Sequence, residues 1–221
     1  MATTVRVWDL PTRVFHWSLV ACVMGLLATA SIGGAAMAWH FRCGYAVLSL
    51  LLFRLIWGVV GGHWSRFTSF LYSPATVLLY LRGESSAEHS IGHNPLGAGS
   101  VFALLGFLLL QVGSGLFSDD EIAAAGPLTK FASEAMVHTA TFYHTKIGKL
   151  ILLGLVTMHI GAVVFHQIKK KDKLVGPMIH GDKTLENPAT SSRDDAGSRL
   201  LAASILGGCA ALVMWLLSQV G

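Results

Sequence analysis

Charged side chains are scarce in this chain of 221 residues: Asp, Glu, Lys and Arg together make up only 13% of it. An ordinary soluble domain carries about 25%. Hydrophobic residues account for 53% of the chain, and its mean hydropathy is +0.59. This composition excludes a water-soluble enzyme with a polar surface and predicts one integral membrane domain. A nucleic-acid-binding chain is also excluded, because the positive charge is thinly spread and basic residues do not alternate with aromatic ones.

Cysteine is scarce as well, and the apolar segments lack acidic residues. The three cysteines, Cys22, Cys43 and Cys209, lie in apolar runs, and their odd number without a pairing pattern argues against a disulfide framework. The sequence has no Cys-x-x-Cys-His, which excludes covalent c-type haem attachment. The apolar runs contain no Asp or Glu, which disfavours metal transport and a carboxylate proton relay. Hydrolysis and phosphoryl transfer are excluded too, since no nucleophile–base constellation or nucleotide-binding loop occurs.

Five apolar segments are long enough to cross a membrane, which takes about 20 residues of helix. They are 14–33, 41–61, 96–117, 143–167 and 200–219. The first is interpreted as a membrane helix and not a cleaved signal, because a second span follows within about ten residues. The sequence therefore predicts an all-α integral membrane protein.

The segments that connect the spans are predicted to contain two short helices and one flexible stretch. Residues 74–82 predict a short amphipathic helix at the inner membrane surface, and a second short helix is expected outside, within 119–137. The polar stretch 182–198 predicts a flexible linker to the last span.

Basic residues set the expected orientation, because short cytoplasmic loops carry an excess of Lys and Arg. With the N-terminus inside, the outside loops hold only Arg42, at a helix edge, and Lys130. The cytoplasmic side then holds eleven: Arg6, Arg13, Arg66, Arg82, Lys169, Lys170, Lys171, Lys173, Lys183, Arg193 and Arg199. The C-terminus is then expected outside, in the periplasm.

Four of the ten histidines lie at membrane depth. His16 is near the inner end of the first span, His40 at the outer start of the second, and His144 and His159 are both on the fourth. The last two are about 22 Å apart along the helix and offset by about 60°, so they face roughly the same side. This spacing pairs His40 with His144 near the outer face and His16 with His159 near the inner face. Neutral imidazoles on facing helices are good axial ligands for haem iron, which predicts two bis-histidine haems.

Other interpretations of these residues stay open. A membrane histidine often serves only as an interhelical hydrogen-bonding group, and His166 or His138 could replace a ligand. The remaining histidines lie in loops or at helix edges and are expected to be solvated: His63, His89, His93, His138 and His180.

Three basic residues near the spans have more than one interpretation. Arg54 either snorkels to the interface or pairs with an anionic group such as a haem propionate. Lys146 and Lys149, beside His144, either pair with propionates or attract an outside reactant, or they anchor the helix at the interface.

An ordered series of motifs covers about residues 5–183. It consists of Val5-Arg6-Val7-Trp8-Asp9-Leu10-Pro11-Thr12-Arg13-Val14-Phe15-His16-Trp17, His40-x-x-x-Gly44-Tyr45, Leu52-Phe53-Arg54-Leu55-Ile56-Trp57-Gly58, Gly92-His93-Asn94-Pro95-Leu96-Gly97, His144 to His159, and Leu174-Val175-Gly176-Pro177-Met178-Ile179-His180-Gly181. This series resembles the bacterial cytochrome b561 family, which includes the b-type cytochrome subunits of nickel-iron hydrogenases.

The resemblance implies a four-helix transmembrane bundle with two non-covalent b haems, ligated by His16, His40, His144 and His159. Residues 1–183 would form this dihaem domain. The cytoplasmic linker 184–199 and the accessory transmembrane helix 200–219 lie beyond the shared part.

The expected function is electron transfer across the bacterial inner membrane, surrounded by membrane lipid. Electrons would pass between membrane quinone and a periplasmic partner, either a c-type cytochrome or a dehydrogenase or hydrogenase subunit. One alternative is a stand-alone oxidoreductase that reduces quinone while oxidising a small periplasmic molecule such as superoxide. A more remote one is a non-haem protein, either a metal transporter or a structural membrane subunit.

Overall fold

The computed structural model describes residues 2–84, 89, 91–122 and 124–220. Within them, five helices are long and apolar enough to cross a membrane, which confirms all five predicted spans and a multi-pass membrane protein. Four are α1 (Leu10–Ile32), α2 (Met37–Val60), α4 (Pro95–Leu116) and α8 (Ala196–Val220). The remaining span runs over Glu134–Ile168.

That fourth span differs from the prediction at its start. It begins nine residues before position 143, with α5 (Glu134–Phe142), continues through a π-helical segment (Tyr143–Gly148) and ends with α6 (Lys149–Ile168). The separate short helix expected within 119–137 is therefore wrong in part, because residues 134–137 are the first turn of the span. Before them, the described residues of this stretch include a single turn of 3₁₀ helix at Thr129–Phe131, while residue 123 lies outside the described part.

The short elements lie between and around the spans. A short helix at the predicted place is confirmed as α3 (Pro74–Leu81), whose first turn is capped by the Ser73 hydroxyl accepting from the Thr76 amide. Helix α7 covers Val175–His180. Two short strands that the sequence did not predict, β1 (Thr3–Arg6) and β2 (Asp182–Leu185), pair antiparallel with Arg6 opposite Asp182.

The chain divides into two compact units, and each long span contributes residues to both. The first unit comprises residues up to His16, Arg54–Ala103 and Met158–Ile205. Its buried residues include Val7, Trp57 and Phe70. The second unit comprises Trp17–Phe53, Leu104–Thr157 and residues from Leu206 onward. Its buried side chains include Val47, Leu51 and Val213.

The stretch expected to be a flexible linker is instead tied to the N-terminal segment of the first unit. Ser192 donates from its amide to the Arg6 carbonyl at 2.7 Å and from its hydroxyl to the Val7 carbonyl at 2.8 Å. The Trp64 indole donates to the carbonyl of Thr190 at 2.7 Å. The prediction of flexibility is wrong because these side chains find backbone partners that lie far away in sequence. The division at residue 183 stays a prediction.

Asp194 is the most heavily bonded group of this connection. Its side chain is only 6% exposed and binds Arg6 Nη1 at 2.5 Å, Arg199 Nε at 3.0 Å and the Leu10 amide at 3.1 Å. Burial raises the pKa of Asp194, but the bonds from Arg199, Leu10 and Arg6 outweigh it, and the net pKa lies below its usual value. Since the folded pKa is the lower one, this carboxylate stabilises the fold above the unfolded-state pKa of about 3.9.

We therefore expect Asp194→Asn to lower the free energy of unfolding by about 2 kcal/mol at neutral pH, because the neighbouring arginines lose their counter-charge. The difference from wild type should shrink as pH falls through the folded pKa of Asp194. Thermal unfolding followed by circular dichroism at several pH values measures this. Asp195→Asn is the matched control, since Asp195 caps α8 through the Ser198 amide, a role Asn also fills. An equal loss in both variants would contradict the assignment.

Candidate functional site

His40 and His144 face each other in the second unit. Their ring centres are 6.2 Å apart and their planes are inclined by 86°. Two imidazole nitrogens that bind one ion from opposite sides at about 2.0–2.1 Å each place the ring centres about 6 Å apart. The structure thus brings together the pair that the sequence predicted, at a separation that suits one metal ion between the rings.

Backbone carbonyls orient both rings. His40 Nδ1 lies 3.2 Å from the Leu26 carbonyl oxygen, and His144 Nδ1 lies 2.8 Å from that of Gln111. A carbonyl oxygen only accepts, so Nδ1 carries the proton and donates in each ring. The Nε2 lone pair is then left for a metal, the arrangement in which histidine ligands are usually held.

The π-helical segment and two glycines make room for His144. Its carbonyl oxygen accepts from the Gln111 side-chain amide at 2.9 Å, and π-helical turns are frequently found at functional sites. A Cβ atom on Gly115 would lie 2.8 Å from His144 Cε1, and one on Gly148 would clash with Gln111 Oε1. In the structure these glycines accommodate the His144 ring and the side chain that supports it.

His16 and His159 both lie in the first unit and interact electrostatically. His93, outside the membrane spans, interacts with both and with Arg54. The His93 ring packs against Trp8 at 4.7 Å and Phe70 at 4.3 Å between centres. Burial first, and then the charges of Arg54, His159 and His16, lower the pKa of His93 to about 3, so it is neutral at physiological pH.

The expectation that the loop histidines are solvated is therefore wrong for His93, whose Nδ1 atom is buried. It is also wrong for His89, whose Nδ1 is buried beside the Tyr72 ring. His138 and His180 are exposed, as expected, and His63 is half-buried. A local sequence window could not reveal the difference, because Trp8 and Phe70, which cover His93, are distant in sequence.

Arg54 does not snorkel. Its side chain is buried, with the residue only 3% exposed, and its guanidinium carbon lies 4.6 Å from the centre of the Phe67 ring. Among the described residues, Arg54 Nη1 has no hydrogen-bond partner. A buried cationic donor with an unused N–H group suits an anionic oxygen ligand such as a carboxylate. Of the two interpretations of Arg54, pairing with an anionic group is the one compatible with this burial.

The remaining candidates lie away from the paired rings. Lys146 is exposed and lines a cavity of about 210 Å³ together with Asp119, Glu121 and His138. His166 lies 3.9 Å from Asp172, whose carboxylate also binds Lys183 at 3.0 Å.

The donor set fits a haem better than a bare metal ion. No group of three or more His, Cys, Asp or Glu suited to a metal ion occurs among the residues that the structure describes. A b-type haem brings four equatorial nitrogens of its own and asks the protein only for axial ligands. The facing imidazoles of His40 and His144 are ligands of the kind that such a cofactor needs.

Membrane helices that carry facing imidazoles define a membrane cytochrome of the b type. Residues 7–181 match the family model described as prokaryotic cytochrome b561. The chain belongs to this family. It is therefore a membrane protein that uses b-type haem to transfer electrons across the membrane.

Curated relatives match over most of the chain. The chain is 25% identical over 218 residues to a protein of Bradyrhizobium diazoefficiens, covering 81% of this chain and 86% of the relative. It is 27% identical to a protein of Azotobacter vinelandii, covering 81% and 88%. Both are named probable Ni/Fe-hydrogenase B-type cytochrome subunit. A protein of Escherichia coli K12, named probable Ni/Fe-hydrogenase 1 B-type cytochrome subunit, is 23% identical, covering 79% and 88%.

Proposed function

We propose that the chain binds two b haems, one between His40 and His144 and one between His16 and His159. It transfers electrons across the bacterial inner membrane between a periplasmic redox partner and membrane quinone. The observation that carries the proposal is the His40–His144 pair, with 6.2 Å between ring centres and both Nδ1 atoms against backbone carbonyls.

The bound haem supplies reversible one-electron transfer. The protein supplies orientation and surroundings. The Leu26 and Gln111 carbonyls hold the outer imidazoles in one tautomer, and Arg54, whose Nη1 has no hydrogen-bond partner among the described residues, would donate to a propionate of the inner haem. His159 is favoured over His166 as the inner ligand, since His166 lies against Asp172 and Lys183.

The basic residues support the orientation, with the N-terminus cytoplasmic and the C-terminus periplasmic. Several of the residues expected on the cytoplasmic side, among them Arg6, Arg13, Lys170 and Lys183, belong to the first unit. In this arrangement residues 1–183 form the dihaem domain. Helix α8 is an addition that gives extra packing surface for an assembly.

The names of the relatives support a hydrogenase subunit as the periplasmic electron donor. Another dehydrogenase or a c-type cytochrome would meet the same requirement, a protein with a redox centre near the outer haem. Exposed Lys146 lies on this side and is suited to attract a negatively charged reactant.

The haem content tests the proposal first. The detergent-purified chain should show a reduced-minus-oxidised spectrum of b haem and a pyridine haemochrome value of two haems per chain. One haem per chain would remove one of the two histidine pairs from the proposal. A folded, haem-supplied preparation without b haem would overturn it.

A second assay separates a relay subunit from a stand-alone oxidoreductase. The chemically reduced chain, mixed with a soluble quinone analogue, should be reoxidised in step with quinone reduction. The oxidised chain given only a superoxide source should reduce the quinone no faster than a haem-free control. Rapid superoxide-driven reduction without a partner would support the stand-alone alternative instead.

A further inference from the structure

Asp9 is a buried carboxylate in the first unit that the haem ligands do not explain. It is fully buried, at 0% exposure. It accepts from the Thr12 amide at 2.8 Å, the Ser65 hydroxyl at 2.6 Å and the Gly62 amide at 3.1 Å. The Trp57 indole lies 3.3 Å from both of its oxygens.

These hydrogen bonds hold Asp9 in place without neutralising it. Every one of the donors is uncharged, so hydrogen bonding alone leaves a buried negative charge uncompensated. Arg54, one helical turn before Trp57 on α2, supplies the opposite charge and interacts with Asp9 electrostatically. Within the described part of the chain the two groups make no direct ion pair, and the Trp57 indole donates to Asp9.

Arg54 also belongs to the electrostatic surroundings of the inner histidines. Its guanidinium lies over Phe67, Phe67 packs on Phe70 at 5.9 Å between ring centres, and Phe70 packs on His93. The charge of Arg54 acts on His93, as do His16 and His159. The field that Arg54 exerts on this site therefore depends on whether Asp9 balances it.

We propose that Asp9 is a positioning residue whose fixed negative charge balances buried Arg54 and so sets the redox potential of the inner haem. This inference rests on the proposed inner haem between His16 and His159. A positive charge left without its counter-charge favours the form of the site that has gained an electron. A negative charge left alone favours the form that has lost it.

Three variants of the full chain test the sign of the effect in a spectroelectrochemical titration. At a fixed ambient potential, Asp9→Asn should raise the ratio of reduced to oxidised inner haem roughly tenfold, the effect of a unit charge at about 10 Å and an effective dielectric constant near 20. Arg54→Gln should lower that ratio by a similar factor. The double variant should return close to wild type. The outer haem, identified as the component lost in His144→Ala, should not change.

Ser65→Ala is the matched control, because it removes a hydrogen bond to Asp9 without changing any charge. It should leave the ratio unchanged. A shift as large as that of Asp9→Asn would show that packing, and not charge, is responsible, and would overturn the inference. Shifts of the same sign in Asp9→Asn and Arg54→Gln would also overturn it.

Failure of this inference can be told apart from failure of the proposed function. If the wild-type chain lacks the inner haem, the proposed function fails at the haemochrome assay, before any titration. If two haems are present and the potentials do not respond, only the role of Asp9 is wrong. Should Asp9→Asn lose haem by misfolding, the double variant compared with Arg54→Gln still decides: a higher ratio in the double variant supports the inference, and an equal ratio overturns it.

Discussion

Replacing His159 with Ala is expected to reduce the b haem content from two per chain to one. The inner haem would lose an axial ligand on α6, and a methyl group offers the iron nothing in exchange. The outer haem should persist, because its imidazoles, His40 and His144, are oriented by carbonyls of Leu26 and Gln111 that belong to the second unit. Pyridine haemochrome quantitation and a low-temperature spectrum of the purified variant measure the loss.

His166→Ala is the control for this experiment, since it lies seven residues further along the same helix and is the alternative ligand. We expect two haems in this variant, because the His166 ring lies beside Asp172 and Lys183. Loss of a haem in His166→Ala together with two haems in His159→Ala would exchange the roles of the two histidines.

Gly115→Ala is expected to weaken haem binding at the outer site. Its new Cβ atom would lie 2.8 Å from His144 Cε1 and 3.1 Å from Nδ1, so the imidazole has to move away from the Gln111 carbonyl. A displacement of this kind removes the hydrogen bond that orients the ring, and such losses lower metal affinity by about 10–100-fold. The haem content should fall towards one per chain, with the remaining component assigned to the inner haem.

Gly106→Ala, on the same helix α4, is the matched control. A Cβ atom there has no heavy atom within 4 Å, and the residue is exposed. Alanine favours helix over glycine by roughly 0.5–1 kcal/mol, so neither substitution weakens the helix itself. If both variants kept two haems, the close approach of Gly115 to His144 would not matter for binding.

The spans could be predicted from sequence because the membrane imposes a simple requirement of length and polarity on each helix separately. The fourth span shows where such counting fails. Its first turns contain polar residues, yet Thr139 and Thr141 donate their hydroxyl hydrogens to backbone carbonyls four residues earlier. These bonds satisfy the hydroxyl groups inside the helix, and the Ser133 hydroxyl accepts from the Met136 amide, so the helix is capped directly before Glu134.

The pairing of His40 with His144 was also within reach of the sequence. Helical spacing and the alternating direction of the spans determine which histidines share a depth, and no knowledge of side-chain contacts is needed. The residues that surround the two histidines could not be predicted from the sequence. Gln111 lies 33 residues from His144 along the chain, and its role follows only from the packing of α4 against the fourth span.

By itself, then, the sequence determined the membrane class, the five spans and the candidate ligands, since these depend on composition and local periodicity. The tertiary structure decided the burial of His93, the environment of Arg54 and the order of residues 190–195. Each of these depends on partners more than 20 residues away in sequence: Trp8 for His93, Asp9 for Arg54, and Val7 for Ser192. Contacts between distant segments form only when the chain folds, so composition and local periodicity do not predict them.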